Sequence, residues 1–520
     1  MKTLKNIIQA NFTKLKGETL SKLKRAWAKE IGFIPKNSQV LKIYNQLLKE
    51  KKIKPSIHFK SLLITRKTRT QSGVAPMAVM TKPFACPGQC IYCPQEKDMP
   101  KSYLSDEPAA QRAKKVKFNP KLQIKSRLKQ LKATGHTTDK IEIIVIGGTF
   151  SVYPKNYKLK FFKAIFDTLN NQTSKNLQQA QEINETAKHR VVGISVETRP
   201  DWISATEIKL LRKLGVTKIQ LGVQAFDEKI LKKINRGHSL KPVAQATKLL
   251  KNAGFKICYH FMPNLPSSTP KKDLSMAKIM FQDPRFKPDY LKVYPVQVIP
   301  GTKLHTLFKA GKFKTYPDDV LKQVLKNIKK ITPPWIRIDR LVRDISKQWI
   351  SSGTLKTNIR QIILLELARE NKTCQCIRCR EIKDLPLVIP AQAGIYAIKK
   401  IIINTLGGQE YFLSFEDKGK LYSLLRLRLP NKNQTVIFKE LKNAAIIREV
   451  HTFGSAMALK EHQSTKTQHQ GLGKKLVKKA EKISQKNGFK KLAVISAIGT
   501  KEYYKKLGFY PEGLYMTKDI

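Results

Sequence analysis

The stretch CPGQCIYC, residues 86–93, places three cysteines in a C-x3-C-x2-C spacing. Three thiolates at this spacing can hold three irons of a [4Fe–4S] cube and leave the fourth iron open to an outside ligand. A zinc site is the alternative, but structural zinc takes four protein ligands, and no fourth Cys or His lies near in the sequence. The spacing therefore favours an iron–sulfur cluster held by Cys86, Cys90 and Cys93.

A cluster with one open iron is what a radical S-adenosylmethionine enzyme needs, because that iron binds the amino and carboxylate groups of the cofactor. Downstream of the cysteines, short apolar runs alternate with lysine-rich amphipathic stretches. This alternation predicts βα units around a parallel sheet, open or closed into a partial barrel. The clearest apolar runs are residues 141–146, 191–196, 219–223, 257–262 and 291–296.

The residues that close these runs are candidate ligands of S-adenosylmethionine, since chemistry in such folds lies at the C-terminal strand ends. Gly147 and Gly148 allow a close backbone approach, which suits the methionyl part. Glu197 and Gln224 end two later runs and can hold a ribose or an amino group, although a structural loop contact explains each of them equally well. Candidates for steering the radical, each equally well explained by a structural role, are Lys292, Tyr294 and His260.

The charge of the chain predicts a polyanionic partner. Lys and Arg number 100 against 38 Asp and Glu, a formal net charge of +62. Nucleic acid is the leading partner, because neutralised phosphates release counterions; a generally lysine-rich proteome is the alternative explanation. Residues 1–60 carry 15 Lys or Arg against three Glu. Apolar residues recur there at helical spacing, at Leu20, Leu23, Trp27 and Ile31.

A second group of cysteines, Cys374, Cys376 and Cys379, predicts a further metal site. Closely spaced cysteines in a chain without an export signal are typical of metal ligands rather than disulfides. Structural zinc is the favoured interpretation, with an unidentified fourth ligand; a second iron–sulfur cluster and free thiols remain alternatives. We see no apolar stretch of the roughly 18–20 residues that a membrane span needs, nor a signal peptide, and we expect a cytoplasmic protein.

The C-terminal region predicts a second, α+β domain. Residues 468–473, QHQGLG, open a helix, and free N–H groups at a helix start can hold a pyrophosphate. Strand-like runs at 444–450 and 491–496 flank this turn, and Tyr503 and Tyr504 follow. The combination looks like a GNAT acetyltransferase domain, whose ligand is acetyl-coenzyme A, with one of the two tyrosines facing the thioester.

The predicted class is therefore α/β, with a radical S-adenosylmethionine partial (β/α) barrel followed by a GNAT domain. The predicted division is a basic helical module at 1–65, the partial barrel at 66–345, a linker with the second cysteine group at 346–395, and the GNAT domain at 396–520. Within that linker, residues 384–394 contain two prolines and show no hydrophobic periodicity.

This domain order resembles the catalytic subunit of Elongator in its single-chain archaeal and bacterial form. The resemblance covers about residues 60–520, and it implies that the basic helical module at 1–65 binds tRNA. The sequence segments that match the family are residues 72–75, 86–93, 107–110, 147–150, 196–201, 235–238, 292–295, 448–451 and 468–473.

The resemblance implies a reaction on the wobble uridine of tRNA. A radical made from S-adenosylmethionine takes hydrogen from the methyl group of acetyl-coenzyme A. The carbon radical adds to uridine C5, and thioester hydrolysis leaves 5-carboxymethyluridine. The residues implied for acetyl-coenzyme A are Lys140, Glu449, Val450, His451, Thr452, Gly471, Leu472, Gly473, Lys474 and Tyr504.

The predicted partners are tRNA, acetyl-coenzyme A and an electron donor, without a membrane; homodimer formation is left open. Two other functions remain alternatives. One is a lysine acetyltransferase, and the other is an RNA-binding protein whose enzyme sites have decayed.

Overall fold

A computed structural model describes residues 3–12, 19–383, 397–432, 434–454 and 471–520. The proline-containing segment of the predicted linker, residues 384–394, and the start of the glycine turn, residues 468–470, lie outside the described residues.

Four short helices form the N-terminal part of the chain. Their apolar faces pack together, and Leu23 and Trp27 of the predicted helix are both buried there. Thr19 caps that helix by accepting from the N–H of Lys22 at 3.4 Å, and Gly32 ends it with a left-handed φ of 80°. The helices are α1 Leu4–Asn11, α2 Leu20–Ile31, α3 Asn37–Lys49 and α4 Ile57–Leu63.

Seven parallel strands follow and form a half-barrel in the order β1 to β7. The prediction of parallel βα units is confirmed, and each of the five apolar runs coincides with a strand of this sheet, although the runs at 257–262 and 291–296 extend past the ends of their strands. The strands are β1 Ala75–Met80, β2 Lys140–Ile146, β3 Arg190–Thr198, β4 Lys218–Gln224, β5 Lys256–Phe261, β6 Tyr290–Val293 and β7 Arg337–Arg340.

Alternation along these strands separates a core from a cavity. In β2, Ile141, Ile143 and Val145 are fully buried in the core, while Glu142 and Ile144 line the interior. The surrounding helices are α5 Pro108–Lys115, α6 Pro120–Ala133, α7 Lys155–Asn170, α8 Leu177–Asn184, α9 Ala205–Lys213, α10 Glu228–Lys233, α11 Leu240–Asn252, α12 Pro270–Gln282, α13 Lys303–Lys309, α14 Asp318–Ile331, α15 Ile359–Arg369 and α16 Ile377–Arg380.

The C-terminal part forms a second sheet, which is mixed. Its strand order is β13-β14-β12-β11-β10-β9-β8, and β11 with β12 is a parallel pair. Its elements are β8 Ile398–Thr405, β9 Gly408–Asp417, β10 Lys420–Pro430, β11 Ala444–Thr452, α17 Leu472–Lys486, β12 Lys491–Val494, α18 Lys501–Lys505, β13 Tyr510–Glu512 and β14 Tyr515–Asp519. A half-barrel followed by a second sheet confirms the predicted fold class.

A buried ionic network joins the two sheets. Arg448 of β11 donates to Asp289, beside β6, at 2.5 and 3.0 Å and to Glu410 of β9 at 2.6 Å. Glu410 also accepts from Lys251 of α11 at 2.7 Å. Because all four side chains are nearly inaccessible to water, these contacts fix β11 against the half-barrel.

No helix among the described residues is long and apolar enough to cross a membrane.

Candidate active site

A cavity of about 1060 Å³ occupies the interior of the half-barrel. At the C-terminal ends of the strands, its walls include Cys86, Cys90 and Cys93. At the opposite end, its walls include Glu449 and His451 of β11. The interior is thus continuous from the first cysteine group to the second sheet.

The three cysteines lie in a half-buried loop beyond β1. Cationic groups surround this loop: Arg236 Nη1 is 3.4 Å from Cys90 Sγ, and Lys101 Nζ donates to the carbonyl of Gly88 at 2.5 Å. Burial, followed by the neighbouring Cys90, raises the pKa of Cys93 to about 11. A metal that displaces the thiol proton reverses this preference, so the donor set and its positive surroundings fit an anionic iron–sulfur cluster.

The predicted glycine turn touches the cysteine loop. Gly147 and Gly148 have φ values of 133° and 89°, and a Cβ at Gly147 would lie 2.1 Å from Thr81 Oγ1. Gly148 and Thr149 line the cavity, and Thr149 Oγ1 is 3.6 Å from Cys86 Sγ. Only glycine fits this turn, which brings its backbone beside the cysteines.

Glu197 and Lys292 form an ion pair in the cavity wall. Lys292 Nζ donates to Glu197 at 3.3 Å, and the hydroxyl of Tyr103 donates to the same carboxylate at 2.6 Å. Burial opposes the charge of Lys292, but Tyr294 and Glu197 raise its pKa above the usual value. Lys292 therefore stays charged, with its ammonium 5.9 Å from the ring centre of Tyr294.

Gln224 and His260 are also part of this wall. Gln224 has a φ of 75°, and its buried Oε1 has no hydrogen-bond partner among the described residues. A strained residue with an unsatisfied acceptor is typical of a binding site. His260 Nε2 lies 3.3 Å from Gln220 Oε1. Burial, followed by Lys292, lowers the pKa of His260 well below its usual value, so the ring is neutral.

Two predicted residues of β11 face the far end of the cavity. Glu449 accepts from Arg426 at 2.8 Å and from the hydroxyl of Tyr290. Burial opposes its charge, but Lys256 and Arg426 lower the pKa of Glu449 to about 2. His451 Nε2 lies 2.7 Å from the carbonyl of Ser72, ahead of β1. These contacts hold β11 at the N-terminal end of the half-barrel.

The other predicted residues of β11 face different neighbours. A Cβ at Gly473 would lie 3.4 Å from Val450 Cγ1, which places Val450 against the start of α17. Thr452 Oγ1 is 3.0 Å from Ser423 Oγ of the adjacent strand. The ladder between β11 and β12 ends at the pair Ile447–Val494, so β11 continues beyond β12.

The glycine turn at the start of α17 is close to one of the two tyrosines. Gly471 has a φ of 76°, Leu472 is buried and Lys474 is exposed. A Cβ at Gly473 would lie 2.7 Å from the Tyr503 hydroxyl. Tyr504 is instead packed in the core of the second sheet, where only 7% of it is exposed. Tyr503 is therefore the tyrosine whose hydroxyl meets the turn.

Lys140 begins β2, at the end of the half-barrel on which the second sheet packs. Burial lowers the pKa of Lys140 to about 8. The fold thus brings Lys140 to the same end of the half-barrel as β11, although 300 residues separate them in sequence, roughly three-fifths of the chain.

Comparisons with known proteins identify the family. Residues 81–278 match the Radical SAM superfamily and residues 288–369 match the Radical_SAM C-terminal domain. The tRNA uridine(34) acetyltransferase of Dehalococcoides mccartyi is 41% identical over 456 residues, which are 87% of this chain and 99% of that protein. Human Elongator complex protein 3 is 37% identical over 467 residues, 86% of this chain and 85% of that protein. This chain belongs to the Elongator complex protein 3 family.

A solved member of the Elongator complex protein 3 family has the same fold. The archaeal Methanocaldococcus infernus protein, solved with an N-terminal deletion, is 38% identical with a TM-score of 0.75, over 87% of this chain and 100% of that one. The predicted resemblance is thereby confirmed. The match to the Radical SAM superfamily supports an iron–sulfur cluster and S-adenosylmethionine as cofactors.

The second cysteine group forms a compact thiol cluster in this family member. The Sγ atoms of Cys374, Cys376 and Cys379 lie within 4.8 Å of one another, in an arrangement that could hold a metal ion. Hydrogen bonds from Cys374 and Cys379 lower the pKa of Cys376 well below its usual value. The ammonium of Lys329, fully buried, donates to Cys379 Sγ at 3.3 Å. Among the described residues, no fourth Cys, His, Asp or Glu has a ligand atom within 4.8 Å of all three sulfurs.

Sequence reasoning missed Tyr103, Gln220 and Arg236 as residues of the cavity. Gln220 follows an alternation that points every second residue of β4 inward, and this signal could have identified it. Arg236 lies in residues 235–238, one of the segments that match the family, but only the fold places its guanidinium beside Cys90.

Proposed function

We propose that this chain modifies the wobble uridine of tRNA through a radical made from S-adenosylmethionine. The methyl carbon of acetyl-coenzyme A becomes bonded to uridine C5, and hydrolysis of the thioester leaves 5-carboxymethyluridine. One observation carries this proposal: a single cavity is lined at one end by the first cysteine group and at the other by β11. The name of the 41% identical relative, tRNA uridine(34) acetyltransferase, supports the substrate.

The half-barrel residues provide the radical site. Cys86, Cys90 and Cys93 would hold the cluster, which when bound supplies one electron to cleave S-adenosylmethionine. The turn at Gly147 and Gly148 offers backbone groups to the methionyl part. The unpaired Oε1 of Gln224 and the carboxylate of Glu197 accept hydrogen bonds from its amino and ribose groups.

Lys292 and Tyr294 would act as catalytic residues by contacting the reacting fragments. The positive charge on Lys292 lies beside Glu197 and the Tyr294 ring, inside the cavity. A fixed cation at this position orients an anionic or carbonyl oxygen without solvent reorganisation. The neutral ring of His260 adds a hydrogen-bonding group to the same wall.

The second sheet would hold acetyl-coenzyme A in the manner of a GNAT domain. The backbone of β11 continues beyond Ile447, where its ladder with β12 ends, and this stretch would hold the pantetheine arm, with Val450 against the turn. Residues 471–474 open α17, a helix of 15 residues, whose first N–H groups can bind a pyrophosphate. Lys140 adds a cation near this end of the half-barrel, and Tyr504 supports the site from the core.

The second cysteine group would hold structural zinc between the two sheets. Its helix α16 contacts both β7 and β10, so a metal there would brace the half-barrel against the second sheet. The ammonium of Lys329 offsets the negative charge of three thiolates on one divalent ion.

The test is anaerobic reconstitution with iron and sulfide, followed by S-adenosylmethionine, a reductant, acetyl-coenzyme A and bulk tRNA. Digested tRNA is then analysed by mass spectrometry for 5-carboxymethyluridine. We expect the product with the natural sequence and none with Cys90→Ala. Cys258→Ala is the matched control, because Cys258 is buried outside both cysteine groups, and it should retain iron and product.

Two outcomes would refute this function. Acetylation of a protein lysine without any nucleoside product would favour the acetyltransferase alternative. Protein that carries its cluster and binds tRNA, yet forms neither 5′-deoxyadenosine nor the modified nucleoside, would favour the RNA-binding alternative.

A further inference from the structure

Four arginines gather where the N-terminal helices meet the open β1 edge of the half-barrel. Arg66 and Arg69 lie in the segment after α4, Arg112 lies on α5, and Arg127 lies on α6. All four line the main cavity, and we refer to them as the arginine cluster. Arg66 and Arg69 are close in sequence, and the fold brings them together with Arg112 and Arg127.

The arginine cluster has no counter-charge within the described chain. Arg127 is 9% exposed, and its buried Nε has no hydrogen-bond partner among the described residues, while its Nη1 donates to Gln130 at 2.5 Å. Burial, then Arg69 and Arg112, lowers the pKa of Arg127 to about 10. No ion pair found in the described ranges includes a member of the cluster.

Six of the eight other buried arginines in the described residues are ion-paired, and the remaining two, Arg212 and Arg236, donate to backbone carbonyls. Arg448 contacts Asp289 and Glu410, and Arg337 contacts Glu381. Pairing is the usual condition for burying a guanidinium, because an isolated buried charge is costly. Within the arginine cluster, the buried Arg127 departs from this condition in a cavity that is open to ligands, which indicates that its counter-charge arrives from outside.

The arginine cluster is held in place before any ligand binds. His136 Nδ1 is 3.0 Å from Thr70 Oγ1, and His136 Nε2 is 3.0 Å from the carbonyl of Thr65. These contacts fix the segment that carries Arg66 and Arg69 against the C-terminal end of α6. A preorganised site loses less conformational entropy when an anion binds.

We propose that the arginine cluster binds one backbone phosphate of the RNA substrate at the entrance of the cavity, so that a neighbouring nucleotide projects into the half-barrel. This proposal rests on the proposed function. Planar guanidinium groups match phosphate oxygens, and RNA is the partner that the basic N-terminal helices next to the cluster would bind. A base that undergoes chemistry must leave its stack, and a fixed neighbouring phosphate holds the extruded nucleotide.

Coenzyme A is the other source of phosphate. Its pyrophosphate is already assigned to residues 471–474 of the second sheet, whereas the arginine cluster lies beside β1 of the half-barrel. The position of the cluster between the N-terminal helices and the cavity therefore favours the RNA backbone.

The test uses the full-length reconstituted protein and an anticodon stem-loop RNA. Arg112→Gln and Arg69→Gln should each weaken binding on the order of tenfold. Each should also lower the slope of log affinity against log salt by about one, the loss of one phosphate contact. Arg369→Gln, an exposed arginine at the end of α15, is the matched control and should change neither quantity.

A scan with single uncharged methylphosphonate linkages then identifies the phosphate. One linkage should weaken binding to the natural sequence as much as Arg112→Gln does, and should cost nothing further in that variant. If both variants bind RNA with an unchanged salt slope while the natural sequence still modifies tRNA, the cluster assignment is refuted and the proposed function stands. If both variants instead lose affinity for coenzyme A, the cluster belongs to that ligand. Absence of RNA binding by the natural sequence would refute both proposals.

Discussion

Replacement of Asp289 by asparagine should weaken the contact between the two sheets, and so lower the stability of the protein, more than any surface substitution does. The carboxylate is 1% exposed, receives two hydrogen bonds from Arg448, and accepts the N–H of Ile257 at 2.8 Å. Asparagine keeps the size but removes the charge, and it can place an NH2 group against the guanidinium. Breaking a buried pair in this way costs about 3–5 kcal/mol.

The matched control is Asp344→Asn. Asp344 pairs with Arg340 at 3.4 Å, but the two side chains are 59% and 51% exposed. An exposed pair of this kind contributes at most about 1 kcal/mol. The two substitutions therefore make the same chemical change and differ only in burial.

Urea unfolding followed by tryptophan fluorescence measures the difference. Trp335 lies at the contact between the sheets, where its carbonyl accepts from Arg426 at 2.8 Å. The free energy of unfolding should fall by about 3 kcal/mol per M of urea. Asp289→Asn should therefore lower the urea midpoint of the first unfolding transition by about 1 M or more, and Asp344→Asn by about 0.3 M or less. Equal shifts for the two variants would refute the assignment of the buried network as the clamp between the sheets.

The pH dependence gives a second check. Burial alone would raise the pKa of Asp289, but Arg448, Lys251 and Arg426 hold it well below its usual value. A depressed folded-state pKa contributes stability that is complete above the unfolded-state value of about 4 and is lost as the pH falls below it. The contribution of the Asp289 charge should therefore be complete at pH 5 and shrink in more acidic solution, and it should also change as the pH approaches 8, where Lys251, whose pKa burial lowers to about 8, loses its charge.

Three further predictions concern the cysteines. Cys376→Ser should remove the metal of the second cysteine group while the iron content is unchanged, as elemental analysis would show; loss of iron as well would contradict separate sites. In the iron-free protein, a raised pKa of about 11 leaves Cys93 protonated at neutral pH, so its alkylation, followed by mass spectrometry, should be slow at pH 7 and accelerate towards pH 11. Arg236→Met should lower the reduction potential of the reconstituted cluster, because it removes a positive donor from Cys90, and a redox titration by electron paramagnetic resonance that finds no change would oppose this role.

The sequence predicted the interior strands of the half-barrel better than its edges. Residues 141–146 are apolar except for Glu142, which lines the cavity, because helices cover the outer face of β2. The edge strand β1 contains Pro76, which lacks a backbone donor and is tolerated at an edge. The other edge, β7, is the short polar segment RIDR and has no apolar period. Edge strands bury fewer side chains, so their sequences carry less of the signal on which prediction depends.

Some features of the candidate site can likewise be predicted from local sequence, whereas others depend on contacts between residues far apart in the chain. The spacing of Cys86, Cys90 and Cys93 is local, and it predicted a shared metal site without any knowledge of the fold. The pairing of Tyr103 with Glu197 joins residues 94 positions apart. No periodicity contains such a contact, because the order of the strands in the sheet determines it.

Strand β11 shows how one extra residue serves both sheets. Its pairing with β10 shifts register at Arg448, since Arg426 faces Glu449 and Leu427 faces Ile447. A bulge of this kind redirects side chains, and here Arg448 and the following glutamate both bind partners at the half-barrel. Deletion of Arg448 would restore regular alternation and leave Glu449 opposite Arg426, but it would remove the contact with Asp289. The bulge therefore allows the charged side chains of β11 to bind the half-barrel. Beyond Ile447, the same strand continues past the end of its ladder with β12.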